Sequence, residues 1–503
     1  MTSTDPLTAR FTQVARRRPV AIVSPDAVQV DVAEPDVAGE HPLPVRAACV
    51  AATVELVGWG RDRVELELSA RLGDEDGDDD GEEGESVLRC VAVVEGGRCH
   101  LEVHGPHGTT THASRRGGDA GSPVALALVL TGTQVTALTL DAAGSTGTWT
   151  GRARTDLREL TRSAPGAERL VRDPAWLAGL VVRHRGEVRN LRAGRFGQLG
   201  LRDVRLVTTE DGSPWVAEGD PDARWFTATS AGPGFFPTAH TSVWRLALDG
   251  LRLEHRADLF FRRPGRHDPA ASNEAGGATV PGVYGDHATH LVALPDGWLV
   301  TTSSWGDFDP DEKGARVAVL LARSGEDLTT GEHVLDAEEL PLPTDGLRSV
   351  AVWDSHVVRD GDRWLVGYVS ARKFFEFHPV VAEGPSLDAL RLRAAAPDRR
   401  ATEGTTLLRT EEGWRVLASD GRDNPRGQRE RYPVWDLDLT EVGTLDAPYP
   451  TNLPWPTLVP TQDAAHWLMV TFNGTAAGGR VLGYGTHGDV VVLSTRPPST
   501  TEA

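Results

Sequence analysis

Four segments in the second half of the chain repeat one plan, and this repeat decides the fold. The segments are LVALPDGWLVTTSS (residues 291–304), VVRDGDRWLVGYVS (residues 357–370), LLRTEEGWRVLASD (residues 407–420) and LVPTQDAAHWLMVTF (residues 458–472). In each segment an apolar strand reaches a polar turn, a tryptophan opens the next strand, and small or hydroxyl residues follow. The tryptophans recur at intervals of roughly 50 to 70 residues, which suits four-stranded propeller blades with outer loops of variable length.

An earlier copy of the same plan precedes these four. It runs through RLVTTEDGSPW (residues 205–215) and continues in RWFTATSAG (residues 224–232). With this copy the repeat has five members. The sequence therefore predicts an all-β chain with a five-bladed β-propeller over residues 196–496.

The rest of the chain divides into smaller parts. Short β-type runs separated by Gly, Asp or Ser clusters fill residues 19–158 and predict a β-sandwich of the jelly-roll or concanavalin-like kind. Residues 159–195 are rich in Arg, Ala and Leu, and we expect a partly helical connector there. Residues 1–18 are expected to form a basic, mobile tail, and residues 497–503 a second tail.

Composition excludes several classes of function. The 503 residues carry a net charge of −20, which argues against general binding to nucleic acid or to anionic membrane surfaces. Nine of the carboxylates lie in the run GDEDGDDDGEEGE (residues 73–85). This run copies the first half of a calcium-binding EF-hand loop, but Val87 stands where the loop needs a bidentate Glu, so we expect a solvated hairpin tip. Neither Lys313 nor Lys373 follows a phosphate-binding glycine loop, which excludes chemistry that depends on a Walker lysine.

The cysteine pattern and the lack of long apolar runs predict the redox state of the thiols and the location of the protein. The three cysteines form no CxxC pair and give an odd number, so they are expected to be reduced core residues. The first residues lack an apolar stretch of signal-peptide length, and no uninterrupted apolar run approaches 18 residues. We expect a soluble, cytoplasmic protein that has no membrane partner.

Carboxylic acids stand just before the repeated strands. They are Asp203 in LRDVRLV, Asp354 in VWDSHVV and Glu403 in ATEGTTLL. The inner strands of a propeller run along one axis, so the starts of these strands converge on one funnel. Several acids around a narrow funnel repel one another, and a purely structural sequence seldom places them there. We therefore expect these three acids to carry chemistry.

With these motifs the region of residues 196–496 resembles the glycoside hydrolases of family 43 and their relatives in the arabinanase, levansucrase and invertase group. The motifs are an Arg-Asp pair before a strand and DG turn, the Asp-x5-DG-x-x-W pattern from Asp354 to Trp364, and a Glu-Gly pair before a strand, turn and Trp414. The resemblance implies that Asp203 is the general base, that Asp354 tunes and orients, and that Glu403 is the general acid. It also implies hydrolysis of arabinose- or xylose-containing oligosaccharides, with inversion.

Asp173 is an alternative candidate for the general base. Arg172-Asp173-Pro174 matches the short motif of the family's base better than Asp203 does, but Asp173 leads into a helix-like segment, so Asp203 is preferred. Val204 and Thr405 stand where the family has proline. The alternative functions are therefore a glycan-binding propeller without catalysis and a retaining, fructan-type glycosidase. A further alternative, in which the sandwich is the working module, has no group of catalytic acids to support it.

Aromatic and histidine side chains near the blade mouths are the predicted sugar contacts, because aromatic faces stack on sugar rings and polar neighbours fix hydroxyls. They are Phe236, His240, His287, His290, Trp305 and Trp353. No cofactor is expected. In related propellers a histidine near the axis helps to hold a metal, so His487 leaves a structural calcium or other ion near the axis open. The expected partner is an oligosaccharide substrate, and the oligomeric state stays open.

Overall fold

The structure is a computed structural model, and it is almost entirely β, as the sequence predicts. It describes ten ranges of residues: 5–60, 62–70, 88–113, 119–141, 149–234, 236–265, 282–312, 314–461, 466–474 and 488–496. The acidic run, Lys313, His487 and the tail at 497–503 lie outside these ranges, so the predictions made for them lie outside the described residues.

The first part of the chain forms thirteen strands and a few short helices within the described residues. The strands are β1 (Thr12–Arg17), β2 (Ala21–Val32), β3 (Ala38–Pro42), β4 (Cys49–Leu56), β5 (Val64–Ala70), β6 (Leu88–Glu95), β7 (Arg98–Gly105), β8 (Gly108–His112), β9 (Pro123–Thr131), β10 (Gln134–Asp141), β11 (Trp149–Asp156), β12 (Leu180–Arg185) and β13 (Val188–Gln198). The helices are α1 (Ala167–Leu170), α2 (Pro174–Ala178) and the 3-10 turns Val57–Gly60 and Leu157–Glu159.

The second part of the chain continues with strands only, apart from two 3-10 turns at Phe236–Thr238 and Leu387–Ala389. The strands are β14 (Leu201–Leu206), β15 (Thr208–Thr209), β16 (Ala223–Ser230), β17 (His240–Ala247), β18 (Arg252–Arg263), β19 (Gly282–Tyr284), β20 (His287–Leu294), β21 (Gly297–Ser303), β22 (Val319–Ser324), β23 (Gly331–Glu339), β24 (Ala351–Asp360), β25 (Arg363–Lys373), β26 (Glu376–Gly384), β27 (Arg391–Ala395), β28 (Thr402–Thr410), β29 (Gly413–Asp420), β30 (Pro433–Trp435), β31 (Glu441–Thr444), β32 (Thr457–Pro460), β33 (Trp467–Asn473) and β34 (Asp489–Ser494).

Two antiparallel six-stranded sheets are formed by the first part. One has the order β11-β10-β9-β4-β13-β2 and the other the order β3-β12-β5-β6-β7-β8. Apolar side chains from both sheets, among them Val50 and Leu126 from one and Leu66 and Leu101 from the other, share one buried cluster. The two sheets therefore face each other across a common core, as strands with one buried face must.

Five four-stranded antiparallel units follow, and we number them sheets 1 to 5. Sheet 1 contains β14, β16, β17 and β18, sheet 2 contains β20 to β23, sheet 3 contains β24 to β27, sheet 4 contains β28 to β31, and sheet 5 contains β32, β33, β34 and β1. A parallel pairing of β18 with β23 joins sheets 1 and 2 along their outer strands. In each of sheets 1 to 4, the strand that comes first along the chain lies at one end of the row of four strands.

Hydrophobic clusters between neighbouring sheets link these units into a ring. Sheets 1 and 2, 2 and 3, 3 and 4, 4 and 5, and 5 and 1 each share a buried cluster. The repeated tryptophans Trp298, Trp364, Trp414 and Trp467 all pack in these clusters, so their role in the repeat is to fill the space between sheets. Such a ring is what a propeller requires.

Two segments differ from the sequence expectation. Thr12–Arg17 pairs with Asp489–Ser494 in sheet 5, so six residues of the expected basic tail form a strand that closes the ring. Leu180–Arg185 and Val188–Gln198, expected in the connector, are inner strands of the two six-stranded sheets. Their arginines hid the alternation of buried and exposed positions, because long charged side chains point outward between buried Leu180, Val182 and Leu191. Within the described residues, no helix is long and apolar enough to cross a membrane.

Candidate active site

The first strands of sheets 1 to 4 share one local distortion. In each, the pairing register with the next strand shifts between two residues, which are Arg202 and Arg205, His287 and His290, Trp353 and His356, and Glu403 and Thr406. The residue that directly follows the first of each pair has a left-handed backbone, with φ of 51° at Asp203, 62° at Ala288, 57° at Asp354 and 73° at Gly404. Bulges of this kind re-aim side chains and are common beside active sites.

The left-handed backbone is costly at three of these four positions. Only glycine adopts positive φ freely, and other residues require support from the surrounding structure. Hydroxyl groups of the preceding sheet provide it: the Asp354 N–H donates to Ser303 Oγ at 3.0 Å, and the Ala288 N–H donates to Thr229 Oγ1 at 3.3 Å. The bulges at Asp354 and Ala288 are thus each held by the preceding sheet in the ring.

A cavity of about 270 Å³ opens at these bulges. It is lined by residues of sheets 1 to 4 and of the segments that join strands and sheets, namely Arg202, Asp203, Phe236, His287, Ala288, Trp305, Trp353, Asp354, Phe375, Phe377, Ala401, Glu403, Asp423, Asn452, Leu453 and Trp455. The three acids that the sequence singled out therefore meet in one place, although the chain separates them by many residues.

Seven of the nine residues predicted for the site line this cavity. The two that do not are His240 and His290. His240 lies on β17 at the junction with the six-stranded sheets, where its Nε2 is 3.0 Å from Asp258 Oδ1 and its Nδ1 is 3.6 Å from Cys49 Sγ. His290 lies behind the bulge of β20, where its Nδ1 accepts from the Val357 N–H at 3.1 Å and its Nε2 pairs with Thr208 Oγ1 at 3.0 Å. These contacts hold strands together.

Asp173, the alternative base, is also outside the cavity. Its exposed side chain accepts hydrogen bonds from the Ala175 N–H at 2.7 Å and from the Trp176 N–H at 3.3 Å. This is the geometry of a helix N-cap, here for Pro174–Ala178. Asp203 is the acid that the structure places with Asp354 and Glu403.

Glu403 sits in an environment that favours its protonated form. Burial raises the pKa of its carboxyl to about 8, and the negative charge of Asp203 adds to this shift. The indole N–H groups of Trp455 and Trp353 and the cation of Arg202 act in the opposite direction.

Asp354 has a raised pKa as well. Burial is the first cause, and the nearby carboxylates of Glu403 and Asp203 follow, while Arg205 and the Gly404 N–H oppose them. The side chain of Asp354 is 3 % exposed, so few water molecules are available to stabilise its charge. Around neutral pH the cluster therefore resists full ionisation.

Arg205 lies beneath the acids and connects three sheets. Its guanidinium donates to the carbonyl of Thr405 at 3.0 Å, to Thr406 Oγ1 at 3.1 Å and to the carbonyl of Asp354 at 3.3 Å. It also lies over the Trp455 ring, 4.7 Å from the ring centroid. Burial lowers the pKa of Arg205 to about 10, and the charges of Asp354 and Asp203 oppose that shift. Arg205 is thus a buried cation that fixes the bulges carrying two of the acids.

Aromatic rings form one wall of the cavity. The Phe236 ring stacks on Trp305 with centroids 4.4 Å apart, and Trp305 contacts Trp353 at 5.3 Å. Phe377 meets Trp353 edge to face at 5.3 Å, and Phe375 lies 6.0 Å from Phe236. This set of five rings is called the aromatic wall below. Its innermost members are buried, and Phe375 is 45 % exposed at the rim.

His287 adds one acceptor beside the wall. Its Nε2 is 3.2 Å from the Phe236 carbonyl, which can only accept, so Nε2 carries the proton. Burial and the cation of Arg202 lower the pKa of His287, so the imidazole is neutral. Nδ1 is then an acceptor, and it is buried with no hydrogen-bond partner among the described residues.

Sequence reasoning missed a second set of cavity residues. They are Arg202, Phe375, Phe377, Ala401, Asp423, Asn452 and Leu453, together with Trp455, which was noticed only as a strand start. Phe375, Asp423 and Asn452 lie in loops between strands, where the sequence offers no fixed spacing from the repeat. Arg205 had a signal: the bulges read RDVR, HATH, WDSH and EGTT, so a polar residue recurs two positions after each left-handed residue.

Among the residues that the structure describes, no group of three or more His, Cys, Asp or Glu side chains is arranged to hold a metal ion. Behind the cavity, His290 and His356 stack with centroids 4.0 Å apart. Burial lowers the pKa of both, and their Nδ1 atoms accept backbone N–H groups of Val357 and Leu407. These two histidines are structural in this arrangement.

Comparison with known proteins gives likeness to glycoside hydrolases only at low identity. No family model and no curated protein matches the chain. Among solved structures, a family 117 glycoside hydrolase of the marine bacterium Zobellia galactanivorans is 10 % identical, with 58 % of this chain and 83 % of that chain covered and a TM-score of 0.38. A GH43_1 enzyme from Xanthomonas citri is 13 % identical, with 58 % and 87 % covered and a TM-score of 0.37.

A third similar structure is a mutant of levansucrase from Bacillus subtilis, 9 % identical, with 54 % of this chain and 79 % of that chain covered and a TM-score of 0.37. The solved structures thus include the family 43 and levansucrase groups that the sequence motifs resemble. Because these TM-scores lie below 0.5, the functional conclusion below rests on the residues of the site itself.

Proposed function

We propose that the protein is a glycoside hydrolase. The observation that carries the proposal is the convergence of Asp203, Asp354 and Glu403, from three separate sheets, on one cavity in which Glu403 has a pKa of about 8. Hydrolysis of a glycosidic bond needs one carboxylic acid and one carboxylate flanking the bond. A cavity that keeps one acid protonated beside another that bears charge meets this need.

The roles are assigned from the resemblance of the motifs and from the raised pKa of Glu403. Glu403 donates its proton to the oxygen of the leaving group while the bond from that oxygen to the anomeric carbon breaks. Asp203 accepts a proton from the water whose oxygen forms the new bond to the same carbon. Asp354 orients the substrate and the acid. We propose inversion of configuration, which this pairing of an acid with a base acting on water entails.

We extend the proposal to arabinose- or xylose-containing oligosaccharides, because the motifs around the three acids resemble those of family 43. His287 Nδ1 supports a hydroxylated ligand, since this buried acceptor gains a partner from a sugar hydroxyl. In the same proposal the five four-stranded sheets are the blades of the catalytic propeller. The two facing six-stranded sheets form a separate sandwich domain.

The test is an assay of 4-nitrophenyl glycosides, with the α-L-arabinofuranoside and the β-D-xyloside first. We expect turnover by the wild type and a loss of at least about a thousandfold in kcat/KM for Asp203→Asn, which lacks the base whatever the leaving group. Glu403→Gln should lose at least about a thousandfold on the methyl glycosides of the same sugars, whose leaving group needs a proton, and less on the 4-nitrophenyl glycosides. Asp173→Asn is the matched control, since its carboxylate caps an exposed helix, and its activity should stay within about twofold of the wild type. Proton NMR of the first-formed anomer tests inversion.

Two results would contradict the proposal. Binding of oligosaccharides by a wild type that hydrolyses none of the glycosides would leave a binding protein without catalysis. Retained activity in Asp203→Asn together with loss in Asp173→Asn would show that the base was assigned to the wrong acid.

A further inference from the structure

The cavity lining has a polar part and an aromatic part. The polar part includes the three acids, Arg202, and the exposed side chains of Asp423 and Asn452. The aromatic part is the aromatic wall, defined above as Phe236, Trp305, Trp353, Phe375 and Phe377. Parts of such different polarity contact different parts of a ligand.

The aromatic wall offers little to a second sugar ring. Its polar side-chain atoms are the indole N–H groups of Trp305 and Trp353 and one nitrogen of His287, and the Trp353 N–H is directed to Glu403. No Ser, Thr, Gln, Lys or Tyr side chain lines the cavity among the described residues. A sugar carries a hydroxyl on almost every carbon, and a hydroxyl that loses water without gaining a partner weakens binding.

A planar apolar group fits the same wall without this penalty. The ring of Phe375 stands 45 % exposed at the rim, and it continues inward through Phe236 to Trp305 at centroid distances of 6.0 and 4.4 Å. An exposed phenylalanine beside a row of stacked rings has an open partner site, and aromatic rings pair at centroid distances of about 4.5–7 Å. The wall reaches from this rim to Trp353, beside the acid that protonates the leaving oxygen.

We propose that the preferred substrate is a glycoside whose leaving group carries a planar apolar ring, and that Phe375 selects it. This inference rests on the proposed glycosidase function, and it replaces the sugar leaving group of an oligosaccharide with an aromatic one. The ring of the leaving group packs against the exposed side of Phe375 at the end of the aromatic wall, and its oxygen faces Glu403.

The experiment compares benzyl and methyl glycosides of the same sugar, as α-L-arabinofuranosides and as β-D-xylosides. Benzyl alcohol and methanol are alcohols of similar acidity, so the ratio of their kcat/KM values measures recognition of the ring rather than ease of departure. We expect the wild type to prefer the benzyl glycoside by about tenfold or more. The cyclohexylmethyl glycoside, which is apolar but not planar, should fall between the two.

Variants assign the preference to Phe375. Phe375→Ala should reduce the benzyl-to-methyl ratio to about two or less, and Phe375→Tyr should retain it, since a phenol ring stacks equally well. Val442→Ala, a truncation of a side chain that is 54 % exposed on Glu441–Thr444, is the matched control and should leave the ratio unchanged. Thermal unfolding of each variant confirms that it folds.

The outcomes separate this inference from the proposed function. Hydrolysis of both glycosides at equal rates, or a preference that survives Phe375→Ala, overturns the inference and leaves the glycosidase function standing. If no glycoside is hydrolysed, the proposed function fails, and the same ratio is measured as dissociation constants by quenching of tryptophan fluorescence. Tighter binding of the benzyl glycoside that depends on Phe375 then supports recognition of an aromatic ring, and equal binding overturns it.

Discussion

Three bulges have the same backbone conformation but different residues at the left-handed position. They are the bulges of β14 in sheet 1, β20 in sheet 2 and β24 in sheet 3. Ala288 has a φ of 62°, while Asp203 and Asp354 have φ of 51° and 57°. The three residues line one cavity. Sheet 2 shows that the ring of sheets requires the left-handed bulge and not an acid within it. The two aspartates add electrostatic repulsion to a strained backbone, and function explains their presence better than folding does.

The bulge of β28 in sheet 4 makes the comparison more informative. There the left-handed position is Gly404, and the acid, Glu403, precedes it. Glu403 thus occupies the position of Arg202, His287 and Trp353 in the other three bulges. With one more carbon in its side chain and a different starting point, it approaches the cavity from another direction than the aspartates do. This one-residue offset distinguishes Glu403, the proposed general acid, from Asp203 and Asp354.

The largest expected effect comes from neutralising an aspartate at a bulge. Asp354→Asn keeps the shape of the side chain, so we expect kcat/KM to fall by about a hundredfold to a thousandfold while the melting temperature at pH 8 stays equal or rises. Steady-state kinetics with 4-nitrophenyl glycosides and calorimetry measure the two quantities. A variant that keeps its activity but melts at a lower temperature would show that Asp354 is a structural residue.

The sequence alone predicts the acids and the ring, because both depend on the repeat. Asp203, Asp354 and Glu403 stand before the repeated strands, and each repeated tryptophan packs between sheets. The one-residue offset of Glu403 was not predicted, since a bulge changes which residue faces the cavity without changing the apolar pattern of the strand. The only local signal was the glycine that follows Glu403.

Other parts of the site depend on contacts that the sequence does not encode locally. Phe375 and Asn452 reach the cavity from turns, where no period fixes their direction. His240 was expected at the cavity because it follows Phe236, but it begins the third strand of its sheet and meets Asp258 instead. Strand β1 was missed because its partner, β34, lies at the far end of the chain.

The addition of one carbon atom at Gly404 should disrupt the bulge of β28. In Gly404→Ala the new Cβ would lie 2.4 Å from Cδ1 of Trp455, whose ring is 1 % exposed, and the residue would also carry a φ of 73°. We expect a loss of about 2–4 kcal/mol in the free energy of unfolding, from strain and from displacement of that ring. Urea denaturation measures it. A loss below about 0.5 kcal/mol would contradict the requirement for glycine in this bulge.

A pH series tests the protonation of Glu403. Its pKa is about 8 in the folded protein and 4.5 for an unperturbed Glu, so the folded state binds the proton more tightly. The contribution of Glu403 to the stability of the wild type is therefore fully present below about pH 4.5 and is lost as the pH rises toward 8. Glu403→Gln lacks this loss, so its melting temperature should exceed that of the wild type by several degrees more at pH 8.5 than at pH 5. A difference that is the same at both pH values would contradict a raised pKa.

The smallest expected effect is at the bulge without an acid. Ala288→Gly relieves the left-handed strain, and we expect a gain of about 0.5–1 kcal/mol in the free energy of unfolding. Ala293→Gly, in the same strand but with ordinary strand geometry, is the matched control and should lose about as much. Parallel urea curves compare the two. If both variants lose stability equally, the left-handed backbone at Ala288 carries no strain.

The central claim is that protonated Glu403 assists departure of the leaving group, and the dependence of kcat/KM on that group tests it most directly. We compare wild type and Glu403→Gln on a 2,4-dinitrophenyl glycoside, whose phenolate leaves without a proton, and on the methyl glycoside of the same sugar. The account predicts a loss of less than about tenfold on the first and of at least about a thousandfold on the second. An equal loss on both substrates would contradict the role of Glu403 as the general acid.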